Sequence, residues 1–121
     1  GARAARAVVA ALLLLAGITI AAAGVLHFRR ARTTVNPLRP EQASAMVVTG
    51  IYARTRNPMY LGMLLVLAAW AAWLGSVLAL IGLPLFVAYI NRWQIAPEER
   101  ALAARFPEQF ALYAQAVRRW A

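Results

Sequence analysis

Between Arg56 and Arg92 the chain runs for 35 residues without a charged side chain. A transmembrane helix takes about 20 apolar residues. The stretch is therefore too long for one span, but long enough for two short ones joined by a tight turn. Leu74-Gly75-Ser76 supplies a turn near its middle. The expected structure is a helical hairpin with spans over 59–74 and 77–93. At about 1.5 Å per residue each arm is about 24–26 Å long, which puts the Gly75 turn near the far interface. Pro84 is expected to kink the second arm.

A second uncharged run, Ala7 to Phe28, predicts another span over 7–26, closed by Arg29, Arg30 and Arg32. Arg3 and Arg6 ahead of an apolar run are also a signal-peptide pattern. This run is longer than a signal core and arginines follow it at once, which favours a retained helix. The chain starts Gly1-Ala2-Arg3, as a piece of a longer protein with further spans upstream would. The composition agrees with a lipid setting. It is 63% hydrophobic and 14% charged, with a mean hydropathy of +0.61, against about 45–50% and about 25% in soluble domains. The fold class expected is an all-α integral membrane protein, one domain over 1–121. It has one N-terminal transmembrane helix, a tight hairpin and a C-terminal amphipathic helical segment.

The polar segments frame these spans. The connector 27–58 contains the breakers Pro37, Pro40 and Gly50, and Val47-Val48 with Ile51-Tyr52 make it partly apolar and interfacial. In the C-terminal segment, 97–120, Leu102, Phe106, Phe110, Tyr113, Val117 and Trp120 follow at three- and four-residue steps. That spacing gives one apolar stripe, with Pro107 a point of division. All 13 basic residues are arginine, against four acidic ones, for a net charge of +9. Arg3 and Arg6 precede the first span. The other eleven fall on the opposite side if it crosses once and the hairpin returns. The positive-inside rule then places the connector and C-terminus in the cytoplasm. With no nucleic-acid recognition motif beside the charge, the expected partner is the lipid bilayer and not nucleic acid. The lack of cysteine excludes disulfides, thiolate metal sites and a cysteine nucleophile. One histidine and four carboxylates give no metal site.

Two segments cluster polar groups at membrane boundaries, Gly50 to Gly62 and Pro97 to Tyr113. Each has an ordinary structural explanation. Asn57 suits an N-cap and Pro58 a first helical turn. Arg54 and Arg56 suit positive-inside anchors, Tyr60 an interfacial aromatic, and Gly62 close helix packing. Glu98 and Glu99 suit the first turn of a helix. Yet this pair is half of all the acidic residues, set on an arginine-rich face, and the hairpin returns it to the start of its own first arm. Glu41 and Glu108 are the other carboxylates. His27, at the end of the first span, reads as an interfacial residue. Asn91 and Gln94 read as solvating a helix end, with a cofactor pocket the alternative.

Together, in this order, the segments resemble the hallmark of the isoprenylcysteine carboxyl methyltransferase family and of bacterial phospholipid-methyltransferase-like proteins. The first block is Gly50-x-Tyr52-x-x-x-Arg56-Asn57-Pro58-x-Tyr60-x-Gly62, with Asn57 where the family commonly has histidine. The second is Glu98-Glu99, Leu102, Phe106-Pro107, Phe110 and Tyr113, with Pro107 and Phe110 where the family has glycine and tyrosine. Arginine near the end, here Arg118 and Arg119, is also common there.

The resemblance implies an S-adenosylmethionine-dependent methyltransferase embedded in the membrane, with its cofactor pocket at the cytoplasmic end of the bundle. It implies that Tyr52, Arg56, Asn57, Pro58, Tyr60, Leu61 and Gly62 line one side and Glu98 and Glu99 the other, with Arg56 and Glu99 catalytic. The acceptor implied is lipophilic: an isoprenylcysteine-type carboxylate, a lipid amine or a thiol. Asn57 cannot act as a base near neutral pH, which favours an acceptor that is already nucleophilic. An NADPH-dependent membrane reductase of the sterol type and a non-enzymatic helical module stay open as alternatives.

Overall fold

The computed structural model describes residues 1–30 and 48–121. Arg32, Pro37, Arg39, Pro40, Glu41 and Val47 lie outside the described residues. Among those described there are helices and turns and no strand. Helix α1 is Ala2–Arg30, α2 is Pro58–Leu74, α3 is Val77–Ile90, α4 is Ala96–Arg105 and α5 is Pro107–Ala116. A 3₁₀ turn, Gly50–Ala53, precedes α2.

Helices α1 and α2 pack antiparallel on small residues. On α1 the buried positions are Ala10, Gly17 and Gly24, seven residues apart. Seven residues are about two turns, so all three fall on one face. A Cβ on Gly17 would stand 2.7 Å from the Gly62 carbonyl oxygen, and one on Gly24 would stand 2.9 Å from the Pro58 ring. At the other end the Arg6 side chain lies against Gly75. Glycine lets the two backbones touch, which in lipid replaces the hydrophobic drive available in water.

The packing is the inverse of a soluble domain. Among the described residues no leucine is buried, while Leu12, Leu15, Leu78 and Leu85 are 62, 64, 79 and 65% exposed. Among the described residues two helices, Ala2–His27 and Val77–Arg105, are long and apolar enough to cross a membrane, and Pro58–Leu74 is a shorter apolar helix. In the second, every charged residue falls from Arg92 onward. Its apolar part is α3, and α4 emerges beyond the span.

The hairpin turn is as expected. Gly75 adopts φ 63° as the C-cap of α2, and its N–H bonds the Ala71 carbonyl at 3.0 Å. Glycine takes this left-handed conformation without a Cβ penalty. Helix α3 continues past Pro84.

Two expected boundaries differ. No break separates the second arm from the C-terminal segment. A π-turn, Asn91–Ile95, carries α3 directly into α4. Pro97 in a regular α-turn would strike the Trp93 carbonyl, four residues back; the wider π-turn relieves that. The C-terminal segment divides at Pro107 as expected, but its second helix ends at Ala116 and not at 120. The division falls at Phe106 (φ −131°, ψ 65°), because a residue before proline is pushed out of the helical region. After Ala116 the chain is no longer helical, with Val117 at φ −128°, ψ 131°.

Candidate functional site

The C-terminal ends of α1 and α3 and the N-terminal end of α2 lie at one end of the bundle, and there the two motif segments come together. Gly50 has φ 63° and lies against the His27 ring, where a Cβ would meet the imidazole at 2.7 Å. His27 Nε2 is 2.8 Å from Thr49 Oγ1. This glycine therefore sets the turn that turns Tyr52 inward. Tyr52 is buried with Tyr113 and Val117. The Tyr113 hydroxyl donates to the Tyr52 carbonyl at 2.6 Å, tying α5 to the first motif. Burial pushes the phenols of Tyr52 and Tyr113 well above the usual tyrosine range, so both stay neutral donors. Tyr113→Phe is expected to release the turn and lower stability by about 1–2 kcal/mol, read as a drop in thermal midpoint in detergent.

Arg56 is the junction. Its Nη1 donates to Glu99 Oε2 at 2.8 Å, with side chains 15% and 16% exposed. Its guanidinium lies 6.0 Å from the centre of the Phe110 ring. Glu99 is shared, because Arg119 Nη2 reaches its Oε1 at 2.5 Å. Charge-assisted bonds of this kind are the strong ones. The neighbouring Glu98 accepts from the Tyr60 hydroxyl at 2.5 Å. Burial pushes the Glu98 carboxyl above the ordinary carboxylate range, against the pull of that tyrosine hydrogen bond. Both glutamates thus face inward to named partners and do not merely offset the α4 dipole.

Asn57 occupies the N-cap position of α2 but makes no side-chain cap bond. Its Nδ2 donates instead to the Arg119 carbonyl at 2.8 Å, and its N–H is taken by Thr55 Oγ1 at 3.2 Å. The Arg56 N–H bonds the Arg118 carbonyl at 3.0 Å. The tail leaves the helix because its carbonyls serve the first motif.

Of the nine residues expected at the site, Arg56, Asn57, Tyr60, Glu98 and Glu99 join through these bonds and the tail, and Tyr52 packs beside them. Pro58 and Gly62 lie against α1, at Gly24 and Gly17. Leu61 is half-buried in the first turn of α2. Arg119, Trp120 and Asn91 join the site beyond the nine. In the sequence Asn91 has a cofactor pocket only as its alternative reading, Arg119 stands only as a terminal arginine, and Trp120 only as part of the apolar stripe. Trp120 Nε1 donates to Asn91 Oδ1 at 2.9 Å and packs on the cluster of Tyr60, Ile90 and Ile95. The signal was the terminal Arg118-Arg119-Trp120, but a helical reading of that tail could not say which arginine turns inward.

Residues 5–109 match the phospholipid methyltransferase family. The chain belongs to that family. A family of membrane methyltransferases accounts for both the apolar helices and the joined motifs. This family member is also 48% identical over 62 residues to an uncharacterized protein of Haemophilus influenzae, spanning 51% of this chain and 98% of the other. No solved structure gives a significant match.

Proposed function

We propose that this phospholipid methyltransferase family member transfers a methyl group from S-adenosylmethionine to a lipophilic acceptor. The observation that carries the reading is the Arg56–Glu99–Arg119 network, which joins the two motif segments in one half-buried cluster. The residues suit that cofactor chemically. Arg56 Nε is buried with no hydrogen-bond partner among the described residues, a donor an incoming carboxylate would satisfy. Glu99 suits an ammonium or ribose hydroxyls, and aromatic faces suit a sulfonium. Arg119 sits on the non-helical tail with its side chain 37% exposed, so it is the partner of Glu99 most easily displaced by a ligand cation.

The cofactor supplies an activated methyl on sulfur, and transfer to a nucleophile is an in-line displacement in which positioning does most of the work. In this assignment Arg56 orients the reacting partners. Glu99 fixes the cofactor's cationic end. Tyr52, Asn57, Pro58, Tyr60, Leu61, Gly62 and Glu98 shape the pocket. Asn57 is no base near neutral pH, which favours an acceptor that is already nucleophilic, while Glu98, its carboxyl raised by burial, is the residue suited to take the proton of a lipid amine or thiol. We place the protein in a bacterial inner membrane with the connector and C-terminus cytoplasmic, on the arginine distribution.

The deciding experiment is equilibrium binding of labelled S-adenosylmethionine to the protein in lipid nanodiscs. Saturable binding, lost in Arg56→Ala, is the expected result. A rise in thermal midpoint with NADPH and none with S-adenosylmethionine would overturn the assignment.

A further inference from the structure

The far side of the α3–α4 junction holds a feature that the methyltransferase reading does not use. An open groove of about 520 Å³ is lined by Ala88, Asn91, Arg92, Trp93 and Arg100, among others, and contains no carboxylate. Glu98, Glu99 and the fully buried Ile95 lie on the inner side of the same helix, against Tyr60 and Arg56.

The π-turn builds this groove. In an unbroken α-helix, residues eight apart lie about 80° out of phase. The π-turn Asn91–Ile95 takes up one extra residue. Arg92 and Arg100 therefore fall nearly on one face, about 11 Å apart along the axis. Both are exposed, and among the described residues neither forms an ion pair. The Arg92 guanidinium lies 5.1 Å from the centre of the Trp93 ring, which holds it at the mouth, and Trp93 is 58% exposed.

The groove begins where the apolar run of α3 ends, so it lies at headgroup depth, with an indole at the interface and guanidiniums shaped for phosphate oxygens. We propose that this groove binds the headgroup phosphate of an anionic phospholipid of the surrounding bilayer, with the acyl chains lying along the exposed face of α3. The site is separate from the Arg56–Glu99 network and does not depend on methyl transfer.

The test uses the full chain in detergent, titrated with phosphatidylglycerol and read by native mass spectrometry. Phosphatidylcholine and inorganic phosphate serve as comparison ligands. Each arginine near a lipid phosphate is worth about fivefold in affinity, so Arg92→Gln with Arg100→Gln should weaken phosphatidylglycerol about twenty-five-fold. Arg100→Gln alone, which removes no ion pair among the described residues, should weaken it about fivefold. Arg29→Gln with Arg54→Gln, the same charge change at exposed positions of the same end, should leave binding unchanged. Three results would overturn the proposal. They are equal retention of phosphatidylcholine, an equal loss in the Arg29/Arg54 variant, and displacement of the lipid by inorganic phosphate.

Discussion

Replacing Glu99 with alanine is expected to abolish cofactor binding and to cost about 3 kcal/mol of stability. The carboxylate holds Arg56 at 2.8 Å and Arg119 at 2.5 Å. Removing it strands the Arg56 guanidinium, 15% exposed, with no anion near. The cost sits at the low end for a broken buried pair because Arg119, 37% exposed, recovers water. Glu99→Gln keeps the volume and one acceptor, so it should recover much of the stability while binding stays at least about tenfold weaker. The two effects separate in one pair of measurements, thermal unfolding in detergent and labelled-cofactor binding in nanodiscs. Wild-type binding by Glu99→Ala would remove Glu99 from the site and leave it a structural pin.

Gly62→Leu should be the most damaging change in the membrane-spanning part. Even a Cβ at this position would stand 2.5 Å from the Gly17 carbonyl oxygen and 2.6 Å from the Ala21 Cβ. Neither backbone nor a neighbouring methyl on the same face can give way, so α1 and α2 must separate. The expected loss is about 3 kcal/mol or more, read as a lower thermal midpoint and lost expression in the membrane. Gly82→Leu on α3 is the control, since a Cβ there meets nothing within 4 Å, and it should be nearly neutral. Equal damage from both would mean that leucine is disfavoured in these helices generally. Gly62 stands in the first motif, yet its observed contact is with α1, so its substitution should act on helix packing before it acts on the site.

The spans were legible because burial in lipid leaves a one-dimensional trace. A charge-free run of 35 residues with Gly75 near its middle allows few structures other than a hairpin. The observed α2 and α3 begin within a residue of the positions read from the sequence. The Glu98-Glu99 pair stood out for a similar reason, as half of the acidic side chains in a basic chain. Asn57 was less legible. Its type and place before Pro58 fit an N-cap, and it does occupy that position, but its side chain bonds the tail. That choice depends on a carbonyl 62 residues away in sequence.

What the sequence determined alone was therefore the medium, the hairpin and the pairing of two motif segments at one end, since each follows from local patterns of charge and apolarity. The tertiary structure decided the rest. It showed Arg119, rather than its neighbour Arg118, closing on Glu99, and the tail leaving the helix so that its carbonyls could meet Arg56 and Asn57. It also showed the π-turn that carries α3 past Pro97 and aligns Arg92 with Arg100. A helical pattern in sequence assumes one fixed angle per residue. The partners that make it worth breaking that angle, by a widened turn or an unwound tail, lie far along the chain and meet only in the folded protein.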